Sequence, residues 1–265
     1  MKTDQYFDAH CHLQDLRIEN HIHSIVEKSN LKNVTLMCSC GTSEADWDKL
    51  ISLSRRYTCI IPALGIHPWY VDSISQNWLG VLEQKVKRYS TIIGECGLDF
   101  VIERYDKEKQ IFVFEQQLIL AQKLQKAVCI HCRGAWQKLL EILDRVGELP
   151  GSGLIHSFSG SADMVSELEK RGFYISFSGS ATNLSNKKIE KALNRVSNQR
   201  LLVETDSPDI MPYNLPGKKT NGLNKPYNLP FIVEMIAKRT SKTQNEIKQY
   251  SYNNAKTLLT SDFNG

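Results

Sequence analysis

The amino-acid sequence predicts an α/β protein, a single-domain (β/α)8 (TIM) barrel. Three observations carry this expectation. Short β-branched or apolar runs alternate with longer stretches of helical period, eight such runs can be counted, and the 265-residue length lies near the ~250 at which one such barrel is complete. Parallel strands covered on both faces read as nearly continuous apolar runs, and eight strand-helix units close most naturally into a barrel. An open doubly wound sheet is the alternative.

In chain order the strand candidates are YFDAHC (6–11), NVTLMCSC (33–40), CIIPALGIH (59–67), TIIGECGLD (91–99), AVCIHC (127–132), GLIHSFSG (153–160), FYISFSG (173–179) and RLLVETDSP (200–208). The clearest helix between them spans Lys107 to Gln125, where Ile111, Phe114, Leu118, Ala121 and Leu124 recur every third or fourth residue and make one apolar face. Beyond the last strand, Asp209 to Pro230 is rich in Pro, Gly, Asn and Lys, which predicts a long loop, followed by closing helices near 229–239 and 243–259. Loops of that length are uncommon without a role. Neither a repeat of about 20–50 residues, nor a low-complexity tract, nor a shift in composition divides the chain.

A hydrophobic fraction of 41% with 23% charged residues is ordinary globular composition. The longest apolar runs fall short of the ~18 residues needed to cross a bilayer, so a soluble chain with no membrane partner is expected. Met1 to Gln5 lacks the apolar segment of an export signal. Seven cysteines are an odd number, scattered through apolar runs rather than spaced as a disulfide framework, and together these features point to the cytoplasm. A net charge of +4 tolerates a polyanionic partner without identifying one.

The chemistry concentrates behind the strand candidates. His10 and His12 stand at i and i+2, about 6.6 Å apart on one face of a strand, and can turn to one ion. Glu95, His131, His156 and Asp206 each follow an apolar run directly, and all six are metal-ligand types. In a (β/α)8 barrel the carboxyl ends of the strands converge on one mouth, where residues distant in sequence form a single site. Four imidazoles and two carboxylates suit a pair of divalent cations better than one closed tetrahedral structural site. Such a mixed donor set accommodates zinc, manganese, magnesium, cobalt or nickel.

Other residues carry weaker signals. His67 in GIHPW reads either as a hydrogen-bond donor to an anionic substrate or as a structural histidine beside Pro68, and Arg133 as a phosphate grip or the partner of a rim carboxylate. Asp99 is a candidate to orient a ligand histidine or to cap the following loop. Lys218, Lys219 and Lys225 meet either a phosphate backbone or solvent. His21 and His23 form a second HxH in a helical context, where i and i+2 point apart. Cys129 and Cys132 point to opposite faces of a strand, Cys38 and Cys40 share a face and read as core, and Cys11 should point away from the two histidines that flank it.

At these residues the chain resembles the TatD-type deoxyribonuclease family within the amidohydrolase-like barrel group. The motifs run from DAHCHL (8–13) through GIHP (65–68), GECGLD (94–99), FEQQLILA (114–121), IHCR (130–133) and HSFSG (156–160) to ETDSP (204–208). The resemblance covers nearly the whole chain and implies one TatD-like hydrolase domain over residues 1–265. It further implies that His10, His12, Glu95, His131, His156 and Asp206 are ligands of two divalent ions, with Glu95 bridging them. Many related binuclear amidohydrolases use a carbamylated lysine in the place of Glu95. Where many family members carry Asn-Glu-Pro, this chain has Asn224, Lys225 and Pro226, which is closer to the YjjV-like branch.

The expected function is therefore a metal-dependent hydrolase, a phosphodiesterase or deoxyribonuclease of exonuclease type that uses a water activated by two metal ions. Asp206 is the candidate proton acceptor, while Arg133 and His67 are candidate partners of the phosphoryl oxygens. DNA as substrate comes from the resemblance. Two alternatives stand beside it: an ester or amide hydrolase, such as a D-aminoacyl-tRNA deacylase, and a non-catalytic nucleic-acid-binding protein with a structural metal site.

Overall fold

The computed structural model describes residues 4–103, 106–217 and 222–260. Eight parallel strands hydrogen-bond in sequence order: β1 (Tyr6–Cys11), β2 (Val34–Cys40), β3 (Ile60–Leu64), β4 (Ile92–Asp99), β5 (Val128–Arg133), β6 (Gly153–Ile155), β7 (Tyr174–Phe177) and β8 (Leu201–Val203). The helices are α1 (Ile22–Leu31), α2 (Glu44–Arg56), α3 (Trp78–Tyr89), α4 (Lys107–Leu124), α5 (Trp136–Val146), α6 (Ala162–Lys170), α7 (Lys187–Arg195), α8 (Leu229–Ala237) and α9 (Gln244–Leu259). The segment after β8 meets β1 again: Asp206 N–H donates to the His10 carbonyl at 3.0 Å and His12 N–H to the Ser207 carbonyl at 2.6 Å. This is the (β/α)8 barrel that the alternating pattern predicts, and the open-sheet alternative falls.

Two apolar clusters follow the alternation of the strands. One draws residues from every strand, among them Ala9, Cys38, Ile61, Cys129, Leu154 and Leu202, and continues into Tyr252, Ala255, Leu258 and Leu259 of α9. The other holds the opposite faces, such as Ile130, Ile155 and Val203, packed with the surrounding helices. The barrel interior is thus filled by side chains, and α9 joins that filling. Among the described residues no helix is long and apolar enough to cross a membrane.

Several boundaries differ from the sequence reading. The runs 153–160 and 200–208 contain strands of only three residues, each continued by buried loop. Strand pairing ends where the chain turns into the barrel mouth, and the polar or small residues HSFSG and ETDSP that follow are largely buried there as loop. The inner face of α4 is also rotated from the one expected: Ile111 is only partly buried, whereas Gln110, Val113 and Gln117 are buried beside Phe114 and Leu118. The two glutamines act as clamps. Gln117 accepts from Ile66 N–H at 2.7 Å and donates to its carbonyl at 3.1 Å, and Gln110 does the same for Asp99 at 2.9 and 3.1 Å. Lys218 and Lys219 lie outside the described residues.

Gly94 and Gly97 let β4 approach β5. Both have strongly positive φ, 137° and 143°, and a Cβ on Gly97 would stand 2.0 Å from the carbonyl oxygen of His131. Neither the backbone conformation nor the space admits a side chain. Gly97→Ala is expected to cost about 3 kcal/mol or more through strain and overpacking. Calorimetry would then show the midpoint of thermal unfolding falling by roughly 6–12 °C.

Candidate metal centre

Five elements carry the six expected ligands to the carboxyl-terminal end of the barrel. His10 is the next-to-last residue of β1 and His12 follows the strand, Glu95 lies within β4, His131 within β5, His156 just past β6, and Asp206 past β8. Glu95 is therefore mid-strand rather than at a strand end. The register of β4 against β5 slips between Ile93 and Cys96, and that of β1 against β2 between Asp8 and Cys11. Each irregularity falls at an inward-facing candidate ligand, which is the use a bulge serves when it re-aims a side chain. Asp206 adopts a positive φ of 54°, a conformation that Asp tolerates better than most residues.

The structure brings all six together. Glu95 is buried, and its two carboxylate oxygens face different groups. Oε2 lies 3.4 Å from both His10 Nε2 and His12 Nε2, and Asp206 Oδ1 lies 3.7 and 3.4 Å from the same two nitrogens. Oε1 lies 2.8 Å from His156 Nε2 and 3.1 Å from His131 Nδ1. The His10 ring stacks on His156 with centroids 4.0 Å apart.

The outer nitrogens have defined partners, as the imidazoles of metal sites require. His12 Nδ1 meets the Cys40 carbonyl at 2.7 Å, His10 Nδ1 meets Cys40 Sγ at 3.3 Å, and His131 Nε2 meets Asp99 Oδ2 at 3.3 Å. Glu204 Oε1 lies 3.4 Å from His156 Nδ1, near enough for charge attraction but without the alignment of a hydrogen bond. Hydrogens held on these outer nitrogens would leave each inward nitrogen able to offer a lone pair to a cation once its own proton is lost.

Electrostatics agree with a cation site. Burial alone would raise the carboxyl of Glu95, but the imidazoles of His156, His67 and His10 hold it well below the usual range. Burial likewise opposes ionisation of Asp206, yet the hydrogen bond from His12 and the neighbouring imidazoles bring it down to about 2. Burial works against a charged His12 or His156; Asp206 and Glu95 nevertheless push His12 up to about 9, and Glu95 and Glu204 push His156 well above its ordinary value. Protons on these imidazoles thus balance the buried carboxylates. The donor set and its convergence fit divalent cations.

His67 stands apart. Its Nε2 is 3.3 Å from Glu95 Oε1, while Nδ1 accepts from Trp69 N–H at 3.2 Å. The ring proton must therefore sit on Nε2, and burial lowers its pKa to about 4. That leaves a neutral donor aimed into the site. Arg133 is nearly half exposed, with Nη1 3.3 Å from Asp99 Oδ2. Asp99 fills both roles considered for it, facing His131 and accepting from Val101 N–H at 3.0 Å.

Other expectations can be placed. His21 and His23 are exposed at the start of α1, and Cys11 points away to the Cys38 carbonyl. Cys129 and Cys132 fall in different apolar clusters. Cys38 and Cys40 are core as expected, but Cys40 also touches His10, which only a cross-strand contact reveals. Asn224 is a pin: its side chain donates to the Thr205 and Ile210 carbonyls, and its own carbonyl accepts from Ser207 Oγ. Missed altogether were Glu204, for which the carboxylate two residues before Asp206 was the available signal, and Gln110 and Gln117, two polar residues on a helix face that is otherwise apolar.

Comparison with known proteins agrees with this geometry. The family described as TatD related DNase matches residues 7–260. An uncharacterized metal-dependent hydrolase, YabD of Bacillus subtilis, is 30% identical over 96% of this chain and 98% of its own length. The protein of Salmonella typhimurium named 3′-5′ ssDNA/RNA exonuclease TatD is 29% identical, over 96% of this chain and 98% of its own. Among solved structures, YjjV, a TatD homologue from Escherichia coli, superposes with a TM-score of 0.89 at 26% identity, covering 96% of this chain and 97% of that one. The chain belongs to the TatD-related DNase family of metal-dependent hydrolases.

Proposed function

We propose that the protein hydrolyses phosphodiester bonds of single-stranded nucleic acid as an exonuclease, with two divalent cations held by His10, His12, Glu95, His131, His156 and Asp206. The observation that carries this reading is the division of Glu95: one oxygen faces His10 and His12, the other His131 and His156. A carboxylate so placed would offer one donor oxygen beside each pair of histidines. The Salmonella relative named as an exonuclease supports nucleic acid as the substrate class. Seven free cysteines support the cytoplasm as the compartment.

Divalent cations in such a site supply Lewis acidity, lowering the pKa of water and neutralising phosphoryl oxygens. The protein's own groups supply the rest. Asp206 is ionised in the buried site, and its Oδ1 accepts the proton given up by the attacking water. The Nε2–H of His67 and the guanidinium of Arg133 donate to the phosphoryl oxygens as charge accumulates there. Asp99 holds Arg133 and His131 in place through one oxygen. Near-complete burial of Glu95 and His10 keeps bulk water from competing for these charges.

An end-labelled single-stranded oligonucleotide should be shortened from its 3′ end in the presence of manganese, magnesium or zinc, and a chelator should abolish the reaction. A misacylated tRNA assayed in parallel separates the deacylase alternative: its hydrolysis with intact DNA would replace this proposal. Asp206→Asn is expected to lower kcat by roughly 10²–10⁴-fold while circular dichroism stays native. Arg133→Ala should lower kcat/KM for the oligonucleotide by roughly 10–100-fold through loss of a charged hydrogen bond.

A further inference from the structure

The rim of the mouth on the β3 and β4 side holds an aromatic residue that the chemistry above does not use. Trp69 is 53% exposed. It is nevertheless held firmly. Its Nε1–H donates to Asp99 Oδ2 at 2.8 Å, and Asp99 is fully buried. Its ring meets the His67 ring edge-on with centroids 5.0 Å apart, and His67 in turn faces Glu95. The indole is thus an exposed face fixed two contacts away from the candidate metal centre.

The surroundings specify what such a face takes. Asp99 Oδ2 also accepts from Arg133 Nη1 at 3.3 Å, so an indole and a guanidinium are anchored by one oxygen atom. Tyr70 and Val101 beside them are 41% and 56% exposed, and Val101 is tied through its N–H to the other oxygen of Asp99. A planar apolar surface next to a cation, both beside the reacting site, matches the base and phosphate of one nucleotide. Stacking of a base on an aromatic ring is sequence-tolerant, since every base offers a π-face.

We propose that Trp69 is the base-stacking element of a nucleotide subsite in which Arg133 meets the adjoining phosphate, so that the enzyme distinguishes base-bearing ends from bare phosphodiesters. This rests on the nucleic-acid reading above. It assigns substrate selection to a residue outside the six candidate ligands.

The test compares two 5′-fluorescein oligonucleotides, one unmodified and one with abasic residues at its last three 3′ positions. Binding to the full-length protein is followed by fluorescence anisotropy under chelation, so that no cleavage interferes. Wild-type protein should prefer the unmodified strand, and Trp69→Ala should reduce that preference by roughly 10–100-fold. Trp69→Phe keeps a ring but removes the N–H, and should retain most of the preference. The metal-loaded enzyme should show the same pattern in the ratio of kcat/KM values for the two strands.

A wild type that binds both strands equally overturns the subsite alone. Equal losses in Trp69→Ala and Trp69→Phe would assign Trp69 to holding Asp99 and likewise overturn stacking. So would a wild-type dimer, seen by ultracentrifugation, that Trp69→Ala dissociates with no change in strand preference. A wild type that neither binds nor cleaves either strand overturns the nucleic-acid reading, and the subsite with it.

Discussion

The carboxylate of Glu95 must remain ionised with almost no contact with water, and much of the mouth is arranged around that requirement. Removing a carboxylate from water costs several kcal/mol even after relaxation. The cost is offset here because imidazoles approach both of its oxygens. The same histidines crowd one another, with His10 stacked on His156 and His131 Nδ1 only 2.9 Å from His156 Nε2. Protons on these imidazoles balance the buried carboxylates, a role that divalent cations held by the same residues would take over. Stability is spent where chemistry needs it.

Support for that cluster comes from groups outside the six candidate ligands. Gln117 of α4 bonds both polar groups of Ile66, the residue before His67, and Gln110 bonds both of Asp99. Asp99 is the junction of this support, since its carboxylate meets His131, Arg133, Trp69 and the Val101 backbone. Across the mouth, Asp8 accepts from Thr205 N–H at 2.8 Å, and Asn224 holds the Thr205 carbonyl and Ser207. The segments that carry His67, His131 and Asp206 are therefore fixed by hydrogen bonds from neighbouring elements. Rigid placement of this kind is what allows a polar site to act without reorganising.

The barrel separates these demands along its axis. Its interior is an apolar layer taken from all eight strands and continued by α9, while the carboxyl-terminal mouth is polar. Stability and chemistry thus occupy opposite ends of one fold, the usual division in (β/α)8 proteins. Cys40 sits at the boundary, packed in the apolar layer yet touching His10 with its sulfur.

Much of this was legible in the residues. The alternation of apolar runs and helical periods is local, so it revealed the barrel, and ligand-type residues behind those runs revealed the members of the centre. Local patterns could not show that the runs beginning at Gly153 and Arg200 leave the sheet after three strand residues, since strand pairing ends where the chain turns into the mouth, which tertiary contacts decide. Nor could they show that α4 turns its glutamines inward, because the reason lies in carbonyl and amide groups of other strands. By itself, the sequence determined which side chains carry the chemistry and that eight strands would bring them to one mouth. Only the tertiary structure decided which oxygen of Glu95 faces which histidines, which nitrogen of His67 holds the proton, and that one carboxylate anchors both Trp69 and Arg133. Those are distances between atoms far apart in the chain, set by packing rather than by any neighbour in sequence.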